Sequence, residues 1–373
     1  MISIIFSSSC SQNKSAISVS QLFDNQKLSP LVSSVLYADG FDIYEVDSIK
    51  KLVIYNPRNK AEVLATYYFA NSSCYYSYRF SPEFIQTPLD SVAVFSATQL
   101  NAFTKLDLLN KVIAISESEF IRNTEIKKRF DSGQLVELAG NGNFYLEKTL
   151  EVNPQIIFYS PYNLAQKHPL AATEITMIPF FDFMESNPLG RAEWIKFTAL
   201  FFGKDEKANQ IFDTIVAKYM GYKQLASNVE NKPTVFSDKY YSGQWFMSGG
   251  RSYIAQLFSD AGADYLWKDD DNTGSVNLDF EIVFNRAHSA DFWRIVGAYS
   301  DGFSYDKLVA ENNLYSHFKA FKDKKVIFCD SKGSTYFETG TLEPHLVLAD
   351  LIKAFHPDLL KNYQPKYYHL YKN

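Results

Sequence analysis

Residues 143–158 read NFYLEKTLEVNPQIIF, and residues 276–293, much later in the chain, read VNLDFEIVFNRAHSADFW. Each stretch predicts a polar loop, a short helix with a glutamate in its first turn, and then a buried strand. A carboxylate is favourable there because it faces the unpaired N–H groups and the positive end of the helix dipole. Helix capping alone therefore explains Glu147 or Glu281 taken singly. The same arrangement written twice indicates two lobes of similar build, each with a carboxylate on one surface.

The composition is that of a globular chain with room for two lobes. Its 373 residues are enough for two hydrophobic cores. A net charge of -5 and a pI near 5.8 give no basis for nucleic-acid binding. Aromatic residues make up 16% of the chain, which predicts aromatic-rich sheets and cores. The surplus of tyrosine also suits a pocket for a large, flat, partly apolar ligand.

Strand and helix patterns alternate along most of the chain. Residues 35–78 read as an antiparallel addition on the edge of the first lobe. From residue 92, short apolar strands alternate with helices, which is typical of parallel βαβ units. The same alternation resumes at residue 234 and ends in a helix over 344–355, which opens with a proline and stops before Pro357.

Two consecutive helices separate these two regions. The first ends near Gly203, and the second runs from about residue 205 to 226 with apolar residues at helical spacing. Such a helix spans roughly 30 Å and could bridge two lobes. The predicted fold class is therefore α/β, with two Rossmann-like lobes joined by one long helix and a ligand cleft between them. The predicted division is 1–34 signal and tether, 35–185 N-terminal lobe, 186–230 linking helices and 231–373 C-terminal lobe.

This order of elements resembles the single-helix-linked class of solute-binding proteins of ABC importers, in particular its Bacteroidetes-type branch. The class serves cobalamin, ferric siderophores and haem. The resemblance covers roughly residues 35–370, and the joint order of its segments carries it more than any single motif. The segments concerned are 96–116, 146–157, 244–265 and 343–357.

The resemblance implies a role for the two first-turn glutamates. Glu147 and Glu281 fall on the two docking carboxylates of the class, which contact arginines of the membrane permease, one per lobe. A carboxylate at a fixed place on each lobe suits a two-fold receptor and gives specificity more than affinity. The cobalamin-binding relatives carry a pocket tryptophan where this chain has Asn141, and the analogous second-lobe position holds Ser275.

The ligand-binding candidates are mostly aromatic. The loop after the strand near residue 236 is placed where α/β proteins bind ligands, and Arg251 beyond it either meets an anionic ligand group or starts a helix. On the first lobe we expect contributions from the loop before Glu147 and from the edge after residue 115, where Glu117 and Glu119 also lie. The predicted ligand-binding residues are Trp245, Phe246, Tyr240, Tyr241, Arg251, Asn141, Phe144, Tyr145 and Phe120.

The expected ligand is a corrinoid of the cobalamin type. Binders of siderophores and citrate gather Arg or Lys in the cleft, and Arg251 is the only basic residue near the proposed second-lobe loop. A ferric siderophore or haem is the alternative within the class. A metal-chelatase-like enzyme is the alternative of another class, and it would need a His or Asp ligand at the cleft base. A third is a structural surface lipoprotein with a degenerate cleft.

Other motifs give no sign of catalysis. The sequence has no G-x-S-x-G, no P-loop and no H-E-x-x-H, so we expect neither an enzyme, nor a cofactor, nor a bound metal of its own. The expected partners are a metal-chelate small molecule and an ABC permease with its ATPase, and the expected state is a monomer.

The N-terminus predicts a lipid anchor. Small residues precede Cys10 after a short apolar run, as in a bacterial lipobox, and residues 11–20 then read as a polar tether. The run is shorter than an ordinary signal segment and lacks a basic start. We expect lipidation at Cys10 and a periplasmic, membrane-anchored protein. Cys74 and Cys329 could pair in an oxidising compartment, which two cysteines alone do not decide.

Overall fold

The chain's regular structure opens with an antiparallel sheet on the edge of the first lobe. The computed structural model describes Phe23 and residues 32–46, 48–70, 84–116, 118–140, 143–161, 168–299 and 301–372. The sheet has the order β1-β2-β3-β4, in which only the last pair is parallel. Its strands are β1 Phe41–Val46, β2 Ile49–Asn56, β3 Asn59–Ala70 and β4 Phe84–Gln86.

The N-terminal lobe is built on a second, mostly parallel sheet. Its strand order is β10-β9-β5-β6-β7-β8, and only the β7–β8 pair is antiparallel. The central strand β5 is buried along its whole length, as expected for a parallel strand covered on both faces. The elements are β5 Val92–Val94, α1 Ala97–Lys105, β6 Val112–Ser116, α2 Thr124–Asp131, β7 Val136–Gly140, β8 Asn143–Phe144, α3 Leu146–Val152, β9 Ile156–Tyr159 and β10 Thr176–Pro179.

Two helices, α4 Pro188–Leu200 and α5 Asp205–Ser227, follow the first lobe. Gly203 between them has a φ of 61°, a left-handed conformation that glycine adopts without strain. At 1.5 Å per residue, the 23 residues of α5 span about 35 Å.

Helix α5 contacts both lobes. Near its start, the ring of Phe212 packs edge-on against Tyr37. Near its end, the Tyr219 hydroxyl donates to Asp260 at 2.7 Å, and Lys223 pairs with the same carboxylate at 2.9 Å. One helix therefore holds the two lobes, as the apolar spacing of residues 208–219 predicts.

The C-terminal lobe carries a third sheet and a small three-stranded one. The larger sheet has the order β14-β11-β16-β17-β18, parallel except for β18, and the smaller has the order β12-β13-β15. The elements are β11 Thr234–Ser237, β12 Tyr240–Tyr241, β13 Gln244–Ser248, α6 Tyr253–Asp260, β14 Asp264–Tyr265, β15 Ser275–Leu278, α7 Phe280–Ala287, β16 Phe292–Gly297, α8 Tyr305–Glu311, α9 Lys319–Lys322, β17 Val326–Asp330, α10 Tyr336–Thr339, α11 Pro344–Phe355 and β18 Tyr368–Tyr371.

The two stretches that opened the sequence analysis fold alike. In the first lobe, β8 leads through α3 into β9; in the second, β15 leads through α7 into β16. Glu147 and Glu281 each lie in the first turn of their helix. The α/β fold with two lobes and one long linking helix is confirmed.

Most of the aromatic surplus forms the cores. In the first lobe the rings of Phe158, Trp194 and Phe197 pack in a continuous cluster at centroid distances of 4.8 to 5.8 Å. In the second lobe Trp293 stacks on Phe236 at 5.2 Å. Aromatic pairs of this geometry contribute about 0.5–1.5 kcal/mol each beyond area burial. The ring content thus fixes the two lobes more than it lines a pocket.

Carboxylates of the first lobe anchor the segment that enters it. Glu193 accepts N–H donors from Leu36, Tyr37 and Ala38 at 2.6 to 3.1 Å, and Glu193 itself is fully buried. The backbone passes so close to α4 that a Cβ on Gly190 would lie 2.7 Å from the Tyr37 carbonyl oxygen. A glycine is therefore required where this segment crosses the helix.

A search of the described residues for membrane spans finds no helix with the length and apolar character that crossing a membrane requires.

Candidate functional site

Two adjoining cavities lie between the lobes. The larger, about 700 Å³, is called the polar chamber and is lined by Phe95, Ser96, Ala97, Thr98, Ser116, Glu119, Arg122, Ser160, Ala298, Ser331, Lys332, Ser334, Thr335, Phe337 and Glu338. The smaller, about 250 Å³, is called the apolar chamber and is lined by Ser96, Thr98, Ser160, Phe183, Pro188, Arg191, Tyr253, Leu257, Tyr336, Phe337, Gly340, Thr341, Pro344 and Val347.

The polar chamber lies at the carboxyl ends of parallel strands from both lobes. Ser116 ends β6, Ser160 directly follows β9, and Ser331 directly follows β17. Ligands of open α/β sheets bind at this edge, where loops diverge and backbone and side-chain polar groups face one crevice. Two such edges facing each other create a cleft that both lobes line.

The polar chamber combines hydroxyl groups with two cations, Arg122 and Lys332, and two carboxylates, Glu119 and Glu338. Arg122 is held by its Nε, which donates to the Lys332 carbonyl at 3.1 Å, and by its Nη1, which donates to the carbonyls of Glu119 and Ile121. Within the described ranges, neither Arg122 nor Lys332 forms an ion pair. The guanidinium is thus fixed in place by backbone carbonyls and has no carboxylate in direct contact among the described residues, which leaves it able to bind an anionic group of a ligand.

Glu338 ties the two lobes together at the chamber wall. It lies on α10, which follows β17 of the C-terminal lobe, and its Oε1 accepts the N–H groups of Arg122 and Asn123 at 2.7 and 3.1 Å. Asn101 also donates to the carbonyl of Thr339 at 3.1 Å. These contacts fix the loop that carries Arg122 relative to the second lobe. The other oxygen of Glu338 is buried without a hydrogen-bond partner among the described residues.

The apolar chamber is closed by stacked and hydrogen-bonded rings. The guanidinium of Arg191 lies over the Tyr253 ring, 3.5 Å from its centroid. The hydroxyls of Tyr253 and Tyr336 are 2.8 Å apart, and burial raises the pKa of Tyr336 well above its usual value. The phenol of Tyr336 is therefore held neutral, and the two rings present apolar surface to the chamber.

Asp182, in a short turn before α4, is a fully buried carboxyl beneath the chamber wall. Burial raises its pKa to about 6, against the opposing effects of the Thr98 hydroxyl and the Arg191 charge. One of its oxygens has no hydrogen-bond partner among the described residues. The folded state therefore favours the protonated carboxyl near pH 5.

Replacing Asp182 with asparagine is expected to change how stability depends on pH. Between about pH 4 and 6 the unfolded chain releases the Asp182 proton before the folded chain does, so wild-type stability falls as pH rises. At 1.36 kcal/mol per pKa unit, Asp182→Asn should gain up to about 3 kcal/mol over wild type at pH 7 relative to pH 4. Denaturant unfolding of both proteins across this range measures it. A difference that does not vary with pH contradicts the assignment.

The structure places most predicted ligand-binding residues elsewhere. The ring of Trp245 is fully buried, its Nε1 donates to the Ser237 carbonyl at 2.8 Å, and it packs on Phe236 and Trp293. The interpretation of Trp245 as a pocket residue is corrected, because in this fold the ring belongs to the core. β13 is the middle strand of its sheet and points alternate residues inward.

The other predicted residues that the structure describes lie outside the two chamber walls. Tyr240 is half-buried, Tyr241 and Phe246 are exposed on the outer face of the small sheet, and Arg251 pairs with Asp271 at 2.6 Å. On the first lobe, Tyr145 is exposed, whereas the Phe144 ring lies 5.8 Å from Phe95 at the chamber edge. Asn141, Cys10 and Cys74 lie outside the described residues, as does the side chain of Phe120. Cys329 is buried and has no disulfide partner among the described residues.

Several chamber residues were not predicted from the sequence. Glu119 was considered at this edge, but Arg122, Lys332 and the hydroxyl residues were not. A usable signal existed in the serines at the ends of buried strands: Ser160 and Ser331 directly follow β9 and β17, and Ser96 lies two residues after β5. The position of Arg122 depends on a contact to the far lobe, which spacing in the sequence does not reveal.

Both first-turn glutamates are exposed at the surface of their lobes. Neither carboxylate makes a hydrogen bond or an ion pair with the residues that the structure describes. Exposed apolar side chains flank each: Leu146 and Leu150 beside Glu147, and Ile282 beside Glu281.

The comparisons with known proteins agree with this architecture. Residues 92–332 match the family of periplasmic binding proteins, and the chain belongs to that family. An uncharacterised lipoprotein of Methanocaldococcus jannaschii is 28% identical over 290 residues, which are 74% of this chain and 67% of the relative. A second uncharacterised lipoprotein of that organism is 26% identical over 245 residues, 64% of this chain and 62% of the relative. The chain thus spans about two thirds of these relatives.

Solved structures share the fold at low identity. An ABC transporter substrate-binding protein from Listeria monocytogenes has a TM-score of 0.56 at 17% identity, covering 72% of this chain and 99% of that one. An ABC-type Fe³⁺-hydroxamate transport protein from Saccharomonospora viridis has a TM-score of 0.58 at 12% identity, covering 73% and 95%. A haem complex of IsdE from Staphylococcus aureus has a TM-score of 0.55 at 16% identity, covering 71% and 98%. The resemblance to single-helix-linked solute-binding proteins is confirmed.

Proposed function

We propose that this periplasmic binding protein captures an anionic, oxygen-rich ferric chelate of the siderophore type and delivers it to an ABC importer. The observation that carries the proposal is the polar chamber, where hydroxyl side chains and two carboxylates lie beside Arg122 and Lys332, cations that form no ion pair with any described residue. Hydroxyls exchange hydrogen bonds with chelate oxygens, and a fixed guanidinium favours a negatively charged ligand.

The corrinoid expected from the sequence is the second candidate. That expectation rested on a cleft lined by aromatic residues and on Arg251 as the only nearby cation. Trp245 lies in the core and Arg251 pairs with Asp271, whereas Arg122 and Lys332 line the chamber. Aromatic rings at the polar chamber come from Phe95 and Phe337. This wall chemistry supports an anionic chelate over a neutral, flat corrinoid.

Haem is the third candidate, and the chamber phenols count against it. Haem iron is held by an axial His, Cys, Met or Tyr side chain, and a tyrosine serves as the phenolate. The phenols of Tyr253 and Tyr336 hydrogen-bond each other, and burial opposes ionisation of Tyr336. A chelatase-like enzyme, the alternative of another class, needs an ionised metal ligand at the cleft base. Asp182 is buried and lines neither chamber, so it does not supply such a ligand.

The remaining assignments follow the family resemblance. We propose a periplasmic monomer anchored by a lipid on Cys10, with Glu147 and Glu281 as the permease-docking carboxylates. The division at residues 34, 185 and 230 stays a prediction.

Mass spectrometry of the membrane-bound protein tests the anchor, because an acylated Cys10 peptide is expected and an unmodified one contradicts it.

A ligand titration tests the proposed function. The purified full chain is titrated with a ferric trihydroxamate that carries free carboxylates, with hydroxocobalamin and with haemin, each followed by tryptophan fluorescence. We expect saturable binding of the anionic ferric chelate, weakened by added salt because screening reduces the charge interaction. Tight binding of hydroxocobalamin alone returns the ligand to the corrinoid class. Binding of none of the three contradicts capture of a metal chelate.

A further inference from the structure

We propose that the ligand carries an uncharged apolar arm, an acyl chain, which occupies the apolar chamber while its metal-binding head occupies the polar chamber. This inference rests on the proposed function, and it adds a second binding site and a chemical class for the part of the ligand held there.

The two chambers adjoin. Ser96, Thr98, Ser160 and Phe337 line both of them, so these side chains lie at the boundary that a ligand held in both chambers would cross. Phe337 is 52% exposed despite being a large apolar side chain. An exposed ring at the junction of a polar and an apolar cavity is stabilised when a ligand that extends through both covers it.

The walls of the apolar chamber suit a hydrocarbon. Leu257 and Val347 contribute aliphatic surface from α6 and α11. Pro188 and Pro344 occupy the first turns of α4 and α11, where proline has no N–H group to offer. The helix starts that face this chamber therefore present apolar rings at these positions.

The cation at this chamber, Arg191, has its face covered by a ring. Arg191 donates from Nε to the Glu185 carbonyl at 3.1 Å and from Nη2 to the Phe183 carbonyl at 2.6 Å, while its face stacks on Tyr253. Its hydrogen-bonding edge is thus directed at backbone oxygens. An arm that enters here meets the flat side of a stacked ring pair, which favours an uncharged group.

One polar atom at the chamber lacks a partner. The buried hydroxyl of Thr341, which is one of the lining residues, has no hydrogen-bond partner among the described residues. Buried hydroxyls are normally paired, so this one requires an explanation. The carbonyl of an acyl arm supplies an acceptor of the right kind.

The size of the chamber sets the size of the arm. An apolar cavity of about 150 Å³ in another protein holds a benzene-sized ligand. The present cavity of about 250 Å³ is larger and accommodates a medium-length acyl chain. Burial of each methylene group favours binding by about fourfold.

A pair of matched chelates tests the inference on the wild-type full chain. Both are ferric trihydroxamates with the same carboxylate-bearing head; one carries an acetyl group and the other a hexanoyl group on the same amide. We expect the hexanoyl compound to bind at least about tenfold more tightly, since four added methylenes are buried. Equal affinities overturn the inference and leave the proposed function intact. If neither compound binds, both this inference and the proposed function are overturned.

A chamber-filling variant locates the arm. Val347→Phe is expected to remove the preference for hexanoyl over acetyl while leaving affinity for the acetyl chelate within about twofold. Leu346→Phe, one residue along α11, is the matched control, because Leu346 lines a separate cavity beside α5. Thermal melts establish that both variants fold, and Val347→Leu replaces Val347→Phe if it does not. If the folded Val347→Phe variant still prefers the hexanoyl compound as strongly as the wild type does, the arm does not lie in the apolar chamber.

Discussion

Reversing both Glu147 and Glu281 to arginine is expected to abolish uptake through the cognate permease while ligand binding stays unchanged. The two carboxylates lie on corresponding helices of the two lobes, and one long helix fixes the lobes relative to each other. A receptor with an arginine opposite each carboxylate would meet two like-charge contacts, each of which costs several kcal/mol. Uptake of labelled ferric chelate by cells that express each variant measures the effect.

The same substitutions should leave folding almost unaffected. Both side chains are exposed, and neither carboxylate is bonded within the part of the chain that the structure describes. The loss is therefore limited to the interaction with the helix dipole, less than about 1 kcal/mol for each helix. Chemical unfolding of the purified variants checks this.

A matched control separates docking from charge in general. Glu151 is also exposed and lies on α3, toward the opposite end from Glu147. Glu151→Arg changes the net charge by the same amount as Glu147→Arg alone, on the same helix, and should leave uptake near wild type. Wild-type uptake by the double reversal, in a protein that is correctly localised and binds its ligand, decides that these glutamates only stabilise their helices.

The lobes were predictable because their signals are local. The apolar spacing of residues 208–219 predicts the long helix, and its partners on both lobes are the residues that the spacing places on one face. The repeated unit was predictable for the same reason, since a first-turn carboxylate and the strand that follows it are read within about 16 residues.

The cleft was less predictable because its residues meet through tertiary contacts. The aromatic run 240–246 indicated a pocket, but strand alternation sends Trp245 into the core and Phe246 to the surface. An aromatic side chain on a strand gives the same sequence signal for either face. Whether a given aromatic residue is buried or exposed depends on which side of β13 the core lies.

Arg122 shows the same limit of sequence reasoning, because it lines the chamber but was not predicted to. In the sequence it precedes a short amphipathic helix and has no distinguishing neighbour. Its position at the chamber wall is fixed by the Lys332 carbonyl and the Glu338 carboxylate. Both belong to the other lobe and lie more than 200 residues away in the sequence. Periodicity and spacing carry no information about such a pair.

Truncating Arg122 to alanine is expected to weaken binding of the anionic ferric chelate by about 30-fold to several thousand-fold. In the proposed complex the guanidinium pairs with an anionic group of the ligand, and removing one partner of such a hydrogen-bonded charge pair, once the ligand buries it, costs about 2–5 kcal/mol, which converts to that range. Lys332→Ala should have a smaller effect, because Lys332 is exposed and its charge is screened by solvent. Isothermal titration of each variant with the chelate measures the dissociation constants.

Arg129 provides the control for loss of an arginine that braces backbone. It lies on α2 and donates to the carbonyls of Leu109 and Val112, the latter at 2.9 Å, away from the chamber lining. Arg129→Ala removes comparable hydrogen bonds to carbonyl oxygens, so it should lower stability without changing affinity. If Arg122→Ala binds the chelate as tightly as Arg129→Ala and the wild type do, the polar chamber does not recognise ligand charge. In that case hydroxocobalamin becomes the ligand to test at the same site, since a neutral corrinoid requires no cation from Arg122.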